Sequence, residues 1–296
     1  RLFAIHPVQV ETVCWISASK IVLSTFFYLS ALICYIQYMR NSKWQYLLAS
    51  VVSSILAMGC KEQSVIIVPC LLLFDWMLFK RNMRSLKVYI EKVYYLIPAI
   101  AIFIVTLVAN KNTGEEIIGY TIVDRFIFLC YSSFKYLLIS AIPFKLSYLY
   151  PFPFQVGEKI PMALWIYPFV ILFIGYVIYL NRRKPLLVFC TLFFILHLLP
   201  VLHVIPLPRY VVAADRYLYI PYIAFAIGLS ILSYHLYERQ RKWILYAGFL
   251  YCSYLCVYTA GYAPAWKNSD TLKEHFKEVL KKRETNLSIN FKHEKQ

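Results

Sequence analysis

The chain has 296 residues, of which 60% are hydrophobic, 18% aromatic and only 16% charged, and its mean hydropathy is +0.59. A soluble domain of this length carries about a quarter charged residues, so the composition excludes an ordinary water-soluble enzyme and predicts a polytopic membrane protein. The formal net charge of +16 does not point to nucleic acid, because the basic residues stand in short clusters between apolar runs, as orientation signals do.

The chain opens on Arg1, with no Met, no basic leader and no cleavage site, partway into an apolar element, and is expected to be a piece of a longer protein. Pro7 ends that first element, and His6 and Glu11 bracket the turn "HPVQVE". Apolar runs then recur at 20–39, 44–60, 64–79, 93–110, 126–143, 163–180, 186–199, 217–236 and 243–262. They predict an all-α polytopic membrane helix bundle of about eight or nine apolar helices. Several are shorter than an upright span needs, and Pro69 and Pro200 suit tilted or broken spans lining a cavity.

Four basic clusters separate the runs: Arg40 and Lys43; Lys80, Arg81, Arg84, Lys87 and Lys92; Arg182, Arg183 and Lys184; Arg239, Arg241 and Lys242. With all four cytoplasmic, the connections 5–19, 61–63, 111–124, 144–161, 199–216 and 262 onward face the other side. The run 126–143 breaks the parity and, with Lys135 and two serines, reads as an interfacial or re-entrant helix; the alternative is a true crossing with the loops shifted by one. Residues 1–264 form the membrane bundle. From 265 the character changes: Thr271 and Glu274 make a capping box for an amphipathic helix over 272–283, and 286–296 is a polar tail without a fixed structure of its own. The eight cysteines show no CxxC pair and no metal-ligand spacing, and read as small core hydrophobes.

Four stretches on the predicted external side carry candidate chemistry. A carboxylate at "HPVQVE" would orient an acceptor hydroxyl or a catalytic group; the plain alternative is a helix-end histidine and a solvated glutamate. In "CKEQ", Lys61 would grip a phosphate and Glu62 set its position, unless the hairpin is simply wet. "LSYLYPFPF", with Tyr150, would wall a site for a sugar or a prenyl chain, or merely pack at the interface. In "AADRYLYIP", a short way after Arg209, Arg216 offers a planar fork matched to phosphate oxygens. Asp215 would orient it or act as an acid–base group, against a boundary ion pair with Tyr217 and Tyr219 in the aromatic belt. Each signal alone is weak, and their convergence on one face points to a site at the outer mouth of the bundle.

In this order, "RLFAIHPVQVETVCWIS", "AMGCKEQSVIIVPCLLLFDW", "YLYPFPF" and "AADRYLYIP" resemble the transmembrane and tetratricopeptide-repeat O-mannosyltransferases and their bacterial relatives. "AWKNSDTLKEHFKEVL" is similar to the linker that leads into their repeats, so residues 265–296 would be that linker. His6, Pro7 and Glu11 match the family's His-Pro…Glu turn, Lys61 and Glu62 its Lys-Glu hairpin, and Arg216, Tyr217 and Tyr219 its acidic–Arg–Tyr element, with Asp215 for the commoner Glu. The family's Arg and acid after the His-Pro turn are replaced by Ser19 and Ile21, leaving Lys20 between them.

The resemblance implies a GT-C-type fold and transfer of a mannose-like sugar from a polyprenyl-phosphate donor to a hydroxyl acceptor, protein Ser/Thr or a glycan. The reaction would take place on the lumenal face of the endoplasmic reticulum or the periplasmic face of a bacterial inner membrane. Arg216 and then Lys61 would hold the leaving phosphate, and His6, Glu62, Arg209, Tyr217, Tyr219 and Tyr150 would complete the donor site. Glu11 and Asp215 would be supporting acids, the principal carboxylate lying in a loop before Arg1. No metal or other cofactor is required, and the partners are the lipid donor, the acceptor and membrane lipid, not nucleic acid. Two rivals stay open: a transporter or flippase for a lipid-linked sugar, which would show polar residues at the midplane and repeated halves, and a non-catalytic membrane anchor for a repeat domain.

Overall fold

The computed structural model describes residues 2–109, 119–147, 149–203, 211–239, 241–268, 270–274 and 277. Two short helices, α1 (Leu2–Ile5) and α2 (Val10–Cys14), flank a 3₁₀ turn at Pro7–Gln9, and a further turn, Ile16–Ala18, leads into α3 (Ser19–Asn41). After α4 (Trp44–Cys60) come a 3₁₀ turn, Glu62–Ile66, and α5 (Ile67–Met77), followed by α6 (Leu86–Ala109) and α7 (Ile122–Ala141). The chain then forms α8 (Ile166–Leu180), α9 (Pro185–Leu198), the 3₁₀ turn Asp215–Leu218, α10 (Pro221–Arg239) and α11 (Arg241–Tyr262). Among the described residues there is no strand, only an isolated antiparallel bridge between Tyr150 and Ala213.

The all-α expectation holds, but the expected count of about eight or nine apolar helices is not supported by length and composition. Four stretches are long and apolar enough to cross a bilayer: Ile16–Asn41, Leu86–Ala109, Met162–Leu180 and Lys242–Trp266. Trp44–Cys60 and Pro185–Val201 are apolar but shorter. The run at 64–79 begins as a 3₁₀ turn and becomes α-helical only from Ile67, with Pro69 in the first turn, where its missing N–H costs no intrahelical bond.

Burial follows helical periodicity and runs inside-out. On α3 the buried stripe is Ile21, Ser24, Thr25, Tyr28, Ala31, Leu32 and Tyr35, while Phe26 and Ile33 on the outer face are 62% and 59% exposed. Small polar residues let the helices approach: the Ser24 hydroxyl donates to the Ala57 carbonyl at 2.9 Å and lies 2.7 Å from Ser64 Oγ, and Ser50 donates to the Ala31 carbonyl at 2.7 Å. α8 buries no side chain, and α11 leaves Phe249 72% exposed. So much uncovered apolar surface suits a hydrocarbon surround, not water.

At one end, the end of α5 lies beside the start of α9, with Phe74 and Phe189 ring centroids 5.3 Å apart. α9 runs back against α10 through Phe194 and Phe225. The connections carrying the basic clusters therefore gather at one end of the bundle. There Asp75, Arg81, Glu91, Lys92 and Tyr35 form a buried network. Arg81 bonds Glu91 at 2.6 Å, Lys92 bonds Asp75 at 2.7 Å, and the Tyr35 hydroxyl donates to Asp75 at 2.6 Å. At the opposite end lie the His6–Glu11 turn, Lys61 and the turn Asp215–Leu218. α7, opened by a capping box of Thr121 and Asp124, is fastened toward that second end at both termini. Tyr120 donates to the Phe154 carbonyl, and Tyr251 and Tyr254 donate to the carbonyls of Ala141 and Pro143.

The C-terminal cap differs from expectation. Residues 270–274 are helical, but Thr271 does not cap them: the Asn268 side chain accepts from the backbone N–H groups of Asp270 and Thr271. Asn268 is thus the capping residue and Thr271 sits inside the first turn, because an Asn carbonyl three residues earlier already reaches the free donors. Most of the expected helix 272–283, and all of the tail 286–296, lie outside the described residues.

Candidate functional site

The stretch 213–216 is the hub of the cleft end. Ala214 is extended (φ −151°, ψ 142°). Ala213 pairs with Tyr150 through Tyr150 N–H to the Ala213 carbonyl at 3.2 Å and Val212 N–H to the Tyr150 carbonyl at 2.9 Å. The 3₁₀ turn that follows sends its first two side chains to different partners. Asp215 accepts from the Tyr150 hydroxyl at 2.8 Å. Arg216 reaches Glu11, with Nη1 to Oε1 at 2.6 Å and its backbone N–H to Oε2 at 2.8 Å. Arg216 is therefore oriented by Glu11, not by Asp215, and the "HPVQVE", "YLYPFPF" and "AADRYLYIP" stretches meet at two adjacent residues.

Both carboxyls are fully buried, and their electrostatics differ. Burial raises Glu11, while the Arg216 guanidinium and the backbone N–H groups of Arg216 and Asp215 pull it back. Burial raises Asp215, the Glu11 charge adds to it, and Tyr150, Lys135 and Arg216 oppose it. A neighbouring charge thus favours the protonated form of Asp215 and the ionised form of Glu11, and Asp215 Oδ2 has no hydrogen-bond partner among the described residues. Burial alone would lower Arg216, but Glu11 holds it above its ordinary range, so the guanidinium stays charged.

Lys61 and Arg216 line the same cleft, together with Tyr217 and Tyr219. Lys61 stands at the break after α4, its backbone extended (φ −150°, ψ 120°), and its Nζ lies 2.5 Å from Glu62 Oε1. Burial pushes Glu62 up, but Lys61, with help from Lys20, leaves it below its usual value. Lys20 therefore acts electrostatically on Glu62, the partner of Lys61. The cavity within the cleft is about 30 Å³, enough for one or two waters.

The lining residues that were not legible as site residues in the sequence include Tyr28 and His197, both on apolar helices. His197 Nδ1 lies 2.8 Å from the Phe193 carbonyl, which only accepts, so Nδ1 carries the proton and Nε2 accepts from the Tyr28 hydroxyl at 2.8 Å. A lone histidine in a Leu/Phe run was the available signal.

The other expected residues that the structure describes do not line the cleft. Glu62 faces Lys61. His6 caps the turn Pro7–Gln9, its Nδ1 accepting from Val8 N–H at 3.3 Å, and its ring lies 4.3 Å from that of Tyr222. Burial lowers its pKa to about 4 against an upward pull from the Ser140 backbone, so His6 is a neutral structural cap. Tyr150 stands behind Asp215, with Lys135 Nζ 3.7 Å above its ring. Arg209 lies outside the described residues.

No family model, curated protein or solved structure was found to match this chain. Among the described residues no group of three His, Cys, Asp or Glu side chains is arranged to hold a metal ion.

Proposed function

We propose that the chain is the membrane part of a GT-C-type glycosyltransferase that takes a mannose-like sugar from a polyprenyl-phosphate donor and passes it to a hydroxyl of a protein Ser/Thr or a glycan. One observation carries the reading: Lys61 and Arg216, 155 positions apart by their numbers, line one cleft at the end of an apolar bundle. Two fixed cations beside an aromatic wall of Tyr217 and Tyr219 suit a phosphate whose lipid tail stays in the bilayer. The sequence resemblance points the same way. On this reading the basic end faces the cytoplasm, the cleft end faces the lumen or periplasm, and α7 lies along the interface.

In the reaction the acceptor oxygen attacks the anomeric carbon as the bond from that carbon to the phosphate oxygen breaks. The electron pair leaves with the lipid phosphate. The acceptor's proton passes to a carboxylate, which the resemblance places ahead of Arg1. Lys61 and Arg216 stabilise the charge that develops on the phosphate. Glu11 and Asp215 do not line the cleft and act as positioning groups, Glu11 by aiming the guanidinium and Asp215 by anchoring the Tyr150 loop.

The test is release of free prenyl phosphate from a panel of prenyl-phosphate sugars by the full-length protein reconstituted in membranes. Lys61→Gln is expected to slow release by about a hundredfold, the scale of losing one donor to developing negative charge. Release from no member of the panel, or release at the same rate by Lys61→Gln, would overturn the proposal.

A further inference from the structure

A groove of about 550 Å³ runs down the outside of the bundle between α5 and α9, within the ~300–1,000 Å³ typical of small-molecule sites. Its lining carries no charged side chain; Leu72 and Trp76 stand on one wall, Leu192 and Ile195 on the other, and Met83 at its foot. The groove opens outward: Ile195 is 43% exposed and Trp76 53%. An indole at that position sits where tryptophans settle at the headgroup level.

The foot of the groove lies at the basic end. Met83 is flanked by Lys80, Arg84 and Lys87, all exposed, and Arg182, Arg183 and Lys184, also exposed, immediately precede α9. The acids that would offset them are turned inward. Asp75 is fully buried and Glu91 is 8% exposed, and both are bonded to Arg81 or Lys92. Among the described residues the exposed acid at this end is Glu238, at the close of α10. A charge-free apolar groove therefore ends on a rim whose exposed charge is positive. No residue lining it also lines the cleft of Lys61 and Arg216, so it is not part of the proposed donor site.

We propose that this groove binds an anionic phospholipid, an acyl chain lying between α5 and α9 and the headgroup phosphate meeting the cations at the foot, Lys80 and Arg84 first. The chemistry matches on both counts: hydrocarbon along the walls, and point charges at headgroup depth that attract anionic lipid. A nucleic acid or an acidic peptide would leave the apolar walls uncovered.

The experiment reconstitutes the protein in nanodiscs of equimolar phosphatidylcholine and phosphatidylglycerol, extracts it into detergent, and quantifies the lipid retained. Wild type is expected to keep phosphatidylglycerol at roughly threefold or more over phosphatidylcholine. Replacing Lys80, Arg84 and Lys87 together by Gln should return the ratio to that of the bulk, and Ile195→Trp, at an exposed position, should lower total retained lipid by filling the groove. Lys145→Gln with Lys159→Gln, at the opposite end, should change neither quantity, and soluble glycerol phosphate should not displace the bound lipid. An unenriched wild type, or enrichment that survives both the charge and the groove variants, would overturn the proposal, as would displacement by glycerol phosphate or by duplex RNA.

Discussion

The side chains of Glu11 and Arg216 are 0% and 18% exposed, and their pairing sets what each substitution does. Arg216→Ala leaves a buried carboxylate without its partner and should cost about 3–5 kcal/mol of stability. Glu11→Gln removes the charge but keeps an acceptor for the Arg216 N–H, so thermal unfolding should show a smaller loss. A double variant clearly less stable than Arg216→Ala alone would contradict this, because removing Glu11 should relieve the unpaired charge. His6 makes the second residue-scale prediction. Its folded pKa is depressed from 6.5 to about 4 by burial, so its contribution is present above pH 6.5 and is lost as pH falls toward 4. About 3 kcal/mol follows from the size of that shift. His6→Asn should flatten this part of the stability profile; an identical acid loss in the variant would assign it to other groups.

At the scale of elements, the network at the basic end ties α3, α5 and α6 through one carboxylate. Asp75 accepts from Tyr35 at 2.6 Å and pairs with Lys92 at 2.7 Å. Asp75→Asn should destabilise by about 3 kcal/mol, since it removes the nearer of the two carboxylates paired with the buried Lys92; a change under about 1 kcal/mol in thermal unfolding would show that Glu91 or water replaces it. The sequence marked where this network would be but not what it is. Lys92 and Arg81 read as orientation signals, and Asp75 lay hidden inside an apolar run, because one-dimensional spacing does not show that three helix ends meet. The capping box of α7 was written plainly as Thr121 and Asp124, yet the stretch read only as loop. The hub at 213–216 was the opposite case. A charged pair between apolar runs drew attention correctly, but its partners, Glu11 and Tyr150, stand 205 and 65 positions away, and no local pattern assigns them. Asp215 as orienter of Arg216 was the natural reading of adjacent opposite charges; the turn sends the two side chains apart.

For the whole molecule, the two ends differ in kind. One carries exposed cations whose neighbouring acids are buried and already paired; the other carries cations held by Glu11 and Glu62 around a cleft. That asymmetry was visible in composition as a chain too apolar for water with its charges in clusters, whereas the presence of Lys61 and Arg216 in one cleft required the fold. The central claim is that these two cations grip a single anion. Equilibrium binding of prenyl-phosphate mannose to the protein in nanodiscs tests it most directly, comparing wild type with Lys61→Gln, Arg216→Lys and the double variant. Each single substitution should weaken binding about tenfold, or about 1.4 kcal/mol. The double variant should lose less than the product of the two, as expected of residues sharing one partner. Affinity unchanged in both single variants would contradict the account.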